Sequence, residues 1–284
     1  GTMTVCMGKN MFNIKEKLYI ATFQQDAAAV AAEYGLGLEI NHTCISEDLD
    51  PDKRRRLIDS ISRDLHVSGG HLVPLVHGPF TEIYPAAIDR RARDMAAERL
   101  EEAYGVCRAI GSQKMIVHTG WLPFIYFKEW QAEKGARFWH GFMAHKPEDF
   151  GLLVENVLED EPYMLLDFMM RVAEISAGSD GFIPAGSVSK RIRLCLDIGH
   201  AHAMTGPDMP VEKWIEILGG LIGHFHLHNN DGTADTHSAF DRGSMDMESV
   251  FSAIREHCSP DVTFTIEAGD CRACAEWLSS HGYI

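Results

Sequence analysis

The chain has 284 residues, of which 45% are hydrophobic and 24% are charged, a composition ordinary for a globular protein. Its formal net charge of −15 gives it no overall attraction for nucleic acid or for an anionic membrane surface. No apolar run approaches the ~18 residues that a membrane-spanning helix needs. The odd count of seven cysteines favours reduced thiols and a cytoplasmic location over a disulfide framework.

After a predicted N-terminal tail at 1–17, short apolar runs alternate with stretches of helical period. The runs predicted to form strands are 18–23, 36–41, 72–77, 114–119, 151–156, 192–199, 222–228 and 262–267. Helical patterns between them include 86–110, 162–177, 210–222, 246–257 and 271–281. Eight such alternations indicate an α/β fold, a single-domain (β/α)8 TIM barrel over 18–284. We expect an inserted loop or helix at about 120–149 to lie over the barrel mouth.

The strands also have a period of two, which predicts the direction of their side chains. In 262–267, apolar residues alternate with Thr263, Thr265 and Glu267. Because helices cover the outside of such a barrel, the apolar set should face outward and Glu267 inward. The same reasoning turns inward the polar residues Glu155, Asp197 and His226. Barrel enzymes have their active sites at the C-terminal ends of the strands, where these side chains stand.

Histidine, aspartate and glutamate recur at or just after the predicted strand ends. They are Glu39, His77, His118, Glu155, Asp197, His200, His226 and Glu267, with Asp235 and His237 in the loop after the seventh strand. Imidazoles and carboxylates without a thiolate form a nitrogen and oxygen donor set suited to Zn, Mn, Fe or Co. His224 and His228 share the inward direction of His226, and each is either a further ligand or a donor that supports one.

In these stretches the chain resembles the xylose isomerase-like barrels. This superfamily includes endonuclease IV and AP endonuclease family 2 as well as sugar isomerases and epimerases. The matching stretches are HGPF (77–80), IVHTG (116–120), LLVENV (152–157), CLDIGHAH (195–202), HFHLHNNDGTADTH (224–237) and TIEAGD (265–270). Asn229 stands where the family often has aspartate, and Asp241 where it often has glycine. The resemblance implies a TIM barrel with one to three divalent ions, which are Zn, Mn, Mg, Fe or Co.

The two branches of the superfamily use different numbers of ligands. In the endonuclease branch nine ligands hold three ions, and their counterparts here are His77, His118, Glu155, Asp197, His200, His226, Asp235, His237 and Glu267. In the isomerase branch one ion is enough, and its four ligands correspond to Glu155, Asp197, His226 and Glu267. The resemblance therefore leaves both branches open.

The first interpretation is a sugar or sugar phosphate isomerase or epimerase. A divalent ion would stabilise an enediolate, Glu155 and Glu267 would remove and return the proton, and His200 would steady a substrate oxygen. The second interpretation is metal-dependent hydrolysis of a phosphodiester at an abasic site in DNA. The nine-residue set favours it, but the acidic chain has few basic residues for phosphate contacts beyond 53–56 and Arg242.

We therefore favour a small-molecule sugar substrate over DNA, with no membrane partner and with a homo-oligomer left open. Three further residues are predicted to contact the substrate: Glu39, Trp121 and Arg242.

Overall fold

Residues 12–177, 181 and 187–284 are described by a computed structural model of the chain. Eight parallel strands close into a barrel in chain order, with β1 paired to β8. The strands are β1 (Leu18–Ala21), β2 (Gly37–Ile40), β3 (Leu75–His77), β4 (Lys114–His118), β5 (Gly151–Glu155), β6 (Ile192–Asp197), β7 (Ile222–Leu227) and β8 (Thr263–Ile266). Each strand lies inside one of the predicted runs, so the (β/α)8 barrel is confirmed.

The helices connect the strands on the outside of the barrel. They are α1 (Ala27–Tyr34), α2 (Pro51–Ser68), α3 (Arg90–Ile110), α4 (Lys128–Met143), α5 (Tyr163–Ser176), α6 (Val188–Arg191), α7 (Ile198–Met204), α8 (Val211–Leu218), α9 (Met247–His257) and α10 (Cys271–Ser280). Several begin at an aspartate whose side chain accepts a hydrogen bond from a backbone N–H of the first turn, as Asp89 does from Arg91. None of the described helices is long and apolar enough to cross a membrane.

The segment 120–149 differs from the expectation of an added helix over the barrel mouth. Its helix α4 follows β4, precedes β5 and packs chiefly against α5. Trp139 on α4 is fully buried in the apolar core. The helix is therefore the regular connection between two neighbouring strands and not an addition to it.

The predicted N-terminal tail lies partly outside the described residues, which begin at Phe12. Ile14 is fully buried and its backbone N–H donates to the carbonyl of Tyr283 at 2.8 Å. The last residues before β1 therefore pack against the end of the chain and do not extend away from the barrel.

The alternation of side chains along the strands separates two cores. Outward residues such as Val154, Phe225 and Phe264 join the large apolar core between sheet and helices. Inside the barrel, a second cluster contains Tyr19, Leu75, Ile116, Leu153 and Cys195. Four of these precede a candidate ligand by two residues on the same strand, so this cluster forms the floor beneath the candidate site.

Candidate metal centre

A cavity of about 480 Å³ opens at the C-terminal ends of the strands. Its lining consists of Phe23, Asn41, Cys44, His77, Phe80, His118, Glu155, Val157, His200, Asp235, His237 and Glu267. Seven of the nine predicted ligands belong to this lining, and the other two, Asp197 and His226, are fully buried beside it. The structure thus brings together all nine residues, which form three donor groups.

The central donor group consists of Glu155, Asp197, His226 and Glu267. Nδ1 of His226 lies 3.2 Å from Oε1 of Glu155, 3.3 Å from Oε1 of Glu267 and 3.8 Å from Oδ2 of Asp197. This nitrogen is buried and has no hydrogen-bond partner. Two tetrahedral ligands bound at about 2.1 Å to one zinc ion lie about 3.4 Å apart. The spacing and the unpartnered nitrogen therefore fit one divalent ion.

The first flanking group consists of His77, His118 and Glu155. Nε2 of His77 lies 3.1 Å from Oε2 of Glu155, and Nε2 of His118 lies 3.5 Å from the same oxygen. Nδ1 of His77 donates to the carbonyl of Gly78 at 2.9 Å, which leaves Nε2 free to bind a metal. Because Oε1 of Glu155 faces the central group, this carboxylate is suited to bridge two ions.

The outer group consists of His200, Asp235 and His237, with His228 also within ligand distance. Oδ2 of Asp235 lies 3.3 Å from Nε2 of His200 and 3.2 Å from Nε2 of His237. The other ring nitrogen of each histidine donates to a backbone carbonyl, that of Asn156 for His200 and that of Glu267 for His237. These hydrogen bonds leave Nε2 of both rings facing the group.

The loop after β7 brings Asp235 and His237 over the barrel. Asn229 pairs with Ser238 through two backbone hydrogen bonds, and its side chain donates to the carbonyls of Phe240 and Met245. The asparagine at this position therefore organises the loop. His237 has a φ of 45°, a left-handed conformation that costs energy in a residue with a side chain.

Three residues predicted to bind substrate lie outside the lining of the cavity. Glu39 is fully buried and accepts hydrogen bonds from Nε2 of His226 at 3.1 Å and from Oγ1 of Thr265 at 2.6 Å. It therefore orients a candidate ligand from below. The indole N–H of Trp121 donates to the carbonyl of Tyr126, and Arg242 pairs with Asp270 at 3.0 Å. The geometry gives none of these three side chains a contact with the cavity.

The lining also contains residues that are not among the predicted site residues. Phe80 stacks on His118, with ring centroids 4.5 Å apart, and Phe23 meets His237 edge-on at 6.1 Å. Asn41 and Cys44 also face the cavity, from the loop after β2. The sequence offers Phe80 either for the lining of a pocket or for packing of the long loop. For Phe23, Asn41 and Cys44 the only signal is a position just after a strand, a property that most loop residues of the rim share.

Burial and mutual proximity shift the pKa values of the donor residues. Burial raises the pKa of Glu267 to about 7, and the nearby carboxylates of Glu155 and Glu39 add to the shift, while His226 opposes it. Burial lowers the pKa of His118 to about 3. For His237, burial favours the neutral ring, but the hydrogen bond to Asp235 and the charges of Asp197 and Asp235 prevail and raise its pKa to about 9. The carboxylates and imidazoles of the site therefore interact strongly, and a divalent cation would compensate the buried negative charge of the carboxylates.

Comparisons with known proteins agree with this architecture. The family model described as xylose isomerase-like TIM barrel matches residues 28–279. The uncharacterised protein MJ1311 of Methanocaldococcus jannaschii is 26% identical over 190 residues, a match that spans 64% of this chain and 60% of the archaeal protein.

Two solved structures are similar across nearly the whole fold. A D-tagatose 3-epimerase-like protein has a TM-score of 0.69 at 18% identity, covering 93% of this chain and 96% of its own. The IolI protein with a bound zinc atom has a TM-score of 0.68 at 13% identity, covering 94% of this chain and 98% of its own. At these identities the likeness shows a common fold.

Proposed function

This chain belongs to the xylose isomerase-like TIM barrel family, and on that premise we propose that it is a divalent-metal-dependent enzyme that isomerises or epimerises a sugar. The observation that carries the proposal is the pair Glu155 and Glu267. Glu155 is the last residue of β5 and Glu267 directly follows β8. The strands β6 and β7 lie between them, and both carboxylates face one cavity. Two carboxylates that face one cavity can remove a proton from a substrate carbon and return one to it.

The chemistry divides between the bound ion and the chain's own side chains. When bound by the central group, a divalent ion supplies Lewis-acid polarisation of substrate oxygens. Glu155 or Glu267 takes the proton from the carbon beside a carbonyl, and the electron pair of the C–H bond moves toward the carbonyl oxygen. The other carboxyl returns a proton to the opposite face of that carbon or to its neighbour. His200 lines the cavity and holds a substrate oxygen in place.

The lining of the cavity favours a sugar without a phosphate group. Within the described part of the chain, no lysine or arginine belongs to this lining, whereas three carboxylates do. A phosphate would need cationic partners, and DNA would need several of them. Phe23 and Phe80 are both partly exposed at the cavity and offer flat apolar surface to the C–H face of a sugar ring. The volume of about 480 Å³ is in the range of small-molecule sites.

The test is exchange of carbon-bound hydrogen in heavy water, followed by NMR with metal-loaded protein and a panel of ketoses. We expect deuterium to enter at one carbon and to require both Glu155 and Glu267. Glu155→Gln and Glu267→Gln should abolish exchange, while Glu161→Gln, a change in the same β5 loop but outside the cavity, should preserve it. Exchange that survives both cavity substitutions would contradict the proposal.

A second candidate function is hydrolysis of phosphodiesters by a cluster of metal ions. It is supported by the two flanking groups, which a one-ion isomerase does not need. Incision of an abasic oligonucleotide in the presence of Zn or Mn tests this alternative. Incision that depends on His77, His118 and His237, and that weakens steeply as salt rises, would favour it over the isomerase.

A further inference from the structure

His228 lies between the central and the outer donor groups. It follows β7 on the same inward side as His226 and is fully buried. Its Nε2 donates to the carboxylate of Asp197, at 3.0 Å from Oδ1 and 3.1 Å from Oδ2. This is a contact with a ligand of the central group.

The hydrogen bond of His228 fixes the direction of the Asp197 carboxylate. Oδ1 also accepts from the backbone N–H of His200 at 2.7 Å, so that two donors hold this oxygen. Oδ2 is the oxygen turned toward the central group, 3.8 Å from Nδ1 of His226. A carboxylate held in this way presents one oxygen to a metal with little freedom to rotate.

The ring of His228 also supports the outer group. It is stacked on the ring of His237, with centroids 3.9 Å apart and planes inclined by 10°. This stack holds the ring of His237 in place. Nδ1 of His228 is buried without a hydrogen-bond partner and lies 3.8 Å from Oδ1 of Asp235, so the ring also faces the outer group. Gly199 makes room for the ring, because a Cβ there would lie 2.0 Å from Cε1 of His228.

We infer that His228 is a positioning residue that joins the two donor groups: its Nε2 orients Asp197 in the central group, and its ring holds His237 in the outer group. The inference rests on the proposed metal dependence and on ions in both the central and the outer group, an occupancy that the second candidate function also requires. It predicts that the hydrogen bond of His228 strengthens binding of the ion in the central group, and that its stacked ring strengthens binding of the ion in the outer group. Two substitutions separate these roles. Glutamine can place an amide N–H near the position of Nε2 but has no ring, whereas the shorter asparagine supplies neither.

The experiment is a titration of metal-free protein with Zn²⁺ in competition with a chromophoric chelator. The phase that disappears in His237→Ala is assigned to the outer group. His228→Asn should weaken the central phase about 10- to 100-fold, as the loss of a partner behind a metal ligand usually does, and should weaken the outer phase as well. His228→Gln should restore the central phase but not the outer one.

His224→Asn is the matched control. His224 lies in β7 on the same inward side and is equally buried. Its ring nitrogens bond the hydroxyls of Thr263 and Thr265, and its Nε2 lies 3.5 Å from Oε2 of Glu39, but it does not contact Asp197 or His237 in the way that His228 does. It should lower stability without lowering the number of zinc ions bound. If His228→Asn does not fold, equal losses of both phases in His228→Gln would still overturn the inference. Wild-type protein that binds no zinc would overturn the proposed function together with the inference. Wild-type protein with a single zinc phase would overturn the inference and leave the proposed isomerase standing. Wild-type phases that His228→Asn leaves unchanged would overturn the inference alone.

Discussion

Replacement of Glu39 by glutamine should weaken metal binding, because its carboxylate orients His226 and also lies within ligand distance of His77 and Glu267. Its Oε2 lies 3.1 Å from Nε2 of His226, and both side chains are fully buried. The carboxylate therefore keeps the proton of His226 on Nε2 and leaves Nδ1 to the central group. Glutamine has nearly the same size but no charge. A hydrogen bond to a charged group contributes about 1.5–3 kcal/mol, which corresponds to a loss of about 10- to 100-fold in metal affinity.

The assay for Glu39→Gln is the competitive Zn²⁺ titration of the metal-free protein, with the free energy of unfolding measured beside it. Thr265→Val is the matched control, because it removes the hydrogen bond from Thr265 to Glu39 and leaves the contact with His226 intact. The control should change zinc affinity little. If Glu39→Gln binds zinc as tightly as the wild type, or if the control loses as much affinity, the carboxylate does not orient His226 and the reasoning is refuted.

Three further predictions concern the support and the protonation of the site. Gly199→Ala should destabilise the metal-free protein by about 1–3 kcal/mol in urea unfolding, because its Cβ would overlap the ring of His228; unchanged stability would contradict the packing. Asn156→Ala should cost at least about 2 kcal/mol in the same measurement, since both its hydrogen bonds to the backbone of Asp197 are buried; a smaller loss would contradict that role. Zinc binding should release protons and weaken as pH falls through about 7, because Glu267 holds a proton below that pH in the metal-free protein. Calorimetry in buffers of different ionisation enthalpy measures the number of protons released. A zinc affinity that does not change with pH would contradict the prediction.

The barrel could be predicted from the sequence because its signals are local. Each strand is a short apolar run, and its period of two indicates which residues face inward, so Glu155, Asp197 and Glu267 were found without knowledge of their neighbours. The connection between β4 and β5 is long and carries three tryptophans, and for this reason the sequence predicts an inserted helix over the barrel mouth where the structure has α4. Whether such a helix covers the mouth or packs on the outside depends on contacts with α5, which the sequence does not reveal.

The arrangement of the site could be predicted only in part. Alternation places Glu39 and His228 inside the barrel but does not tell how far each reaches or which partner it finds on another strand. Glu39 is held beneath His226 by Thr265, and His228 is directed at Asp197. Trp121 and Arg242 are predicted to contact the substrate. In the structure the indole of Trp121 donates to Tyr126 and the guanidinium of Arg242 pairs with Asp270. Contacts between distant segments decide these roles.

The measurement that tests the metal centre most directly is a count of bound ions with identification of the element, made on purified protein and located by anomalous X-ray scattering. The donor geometry predicts at least one divalent ion held by Glu155, Asp197, His226 and Glu267. A single Mn- or Mg-like ion in the central group would favour isomerisation or epimerisation. Two or three Zn-like ions, with the flanking groups occupied in addition to the central one, would favour hydrolysis. Protein that remains free of metal after incubation with Zn²⁺, Mn²⁺ and Mg²⁺ would contradict the account.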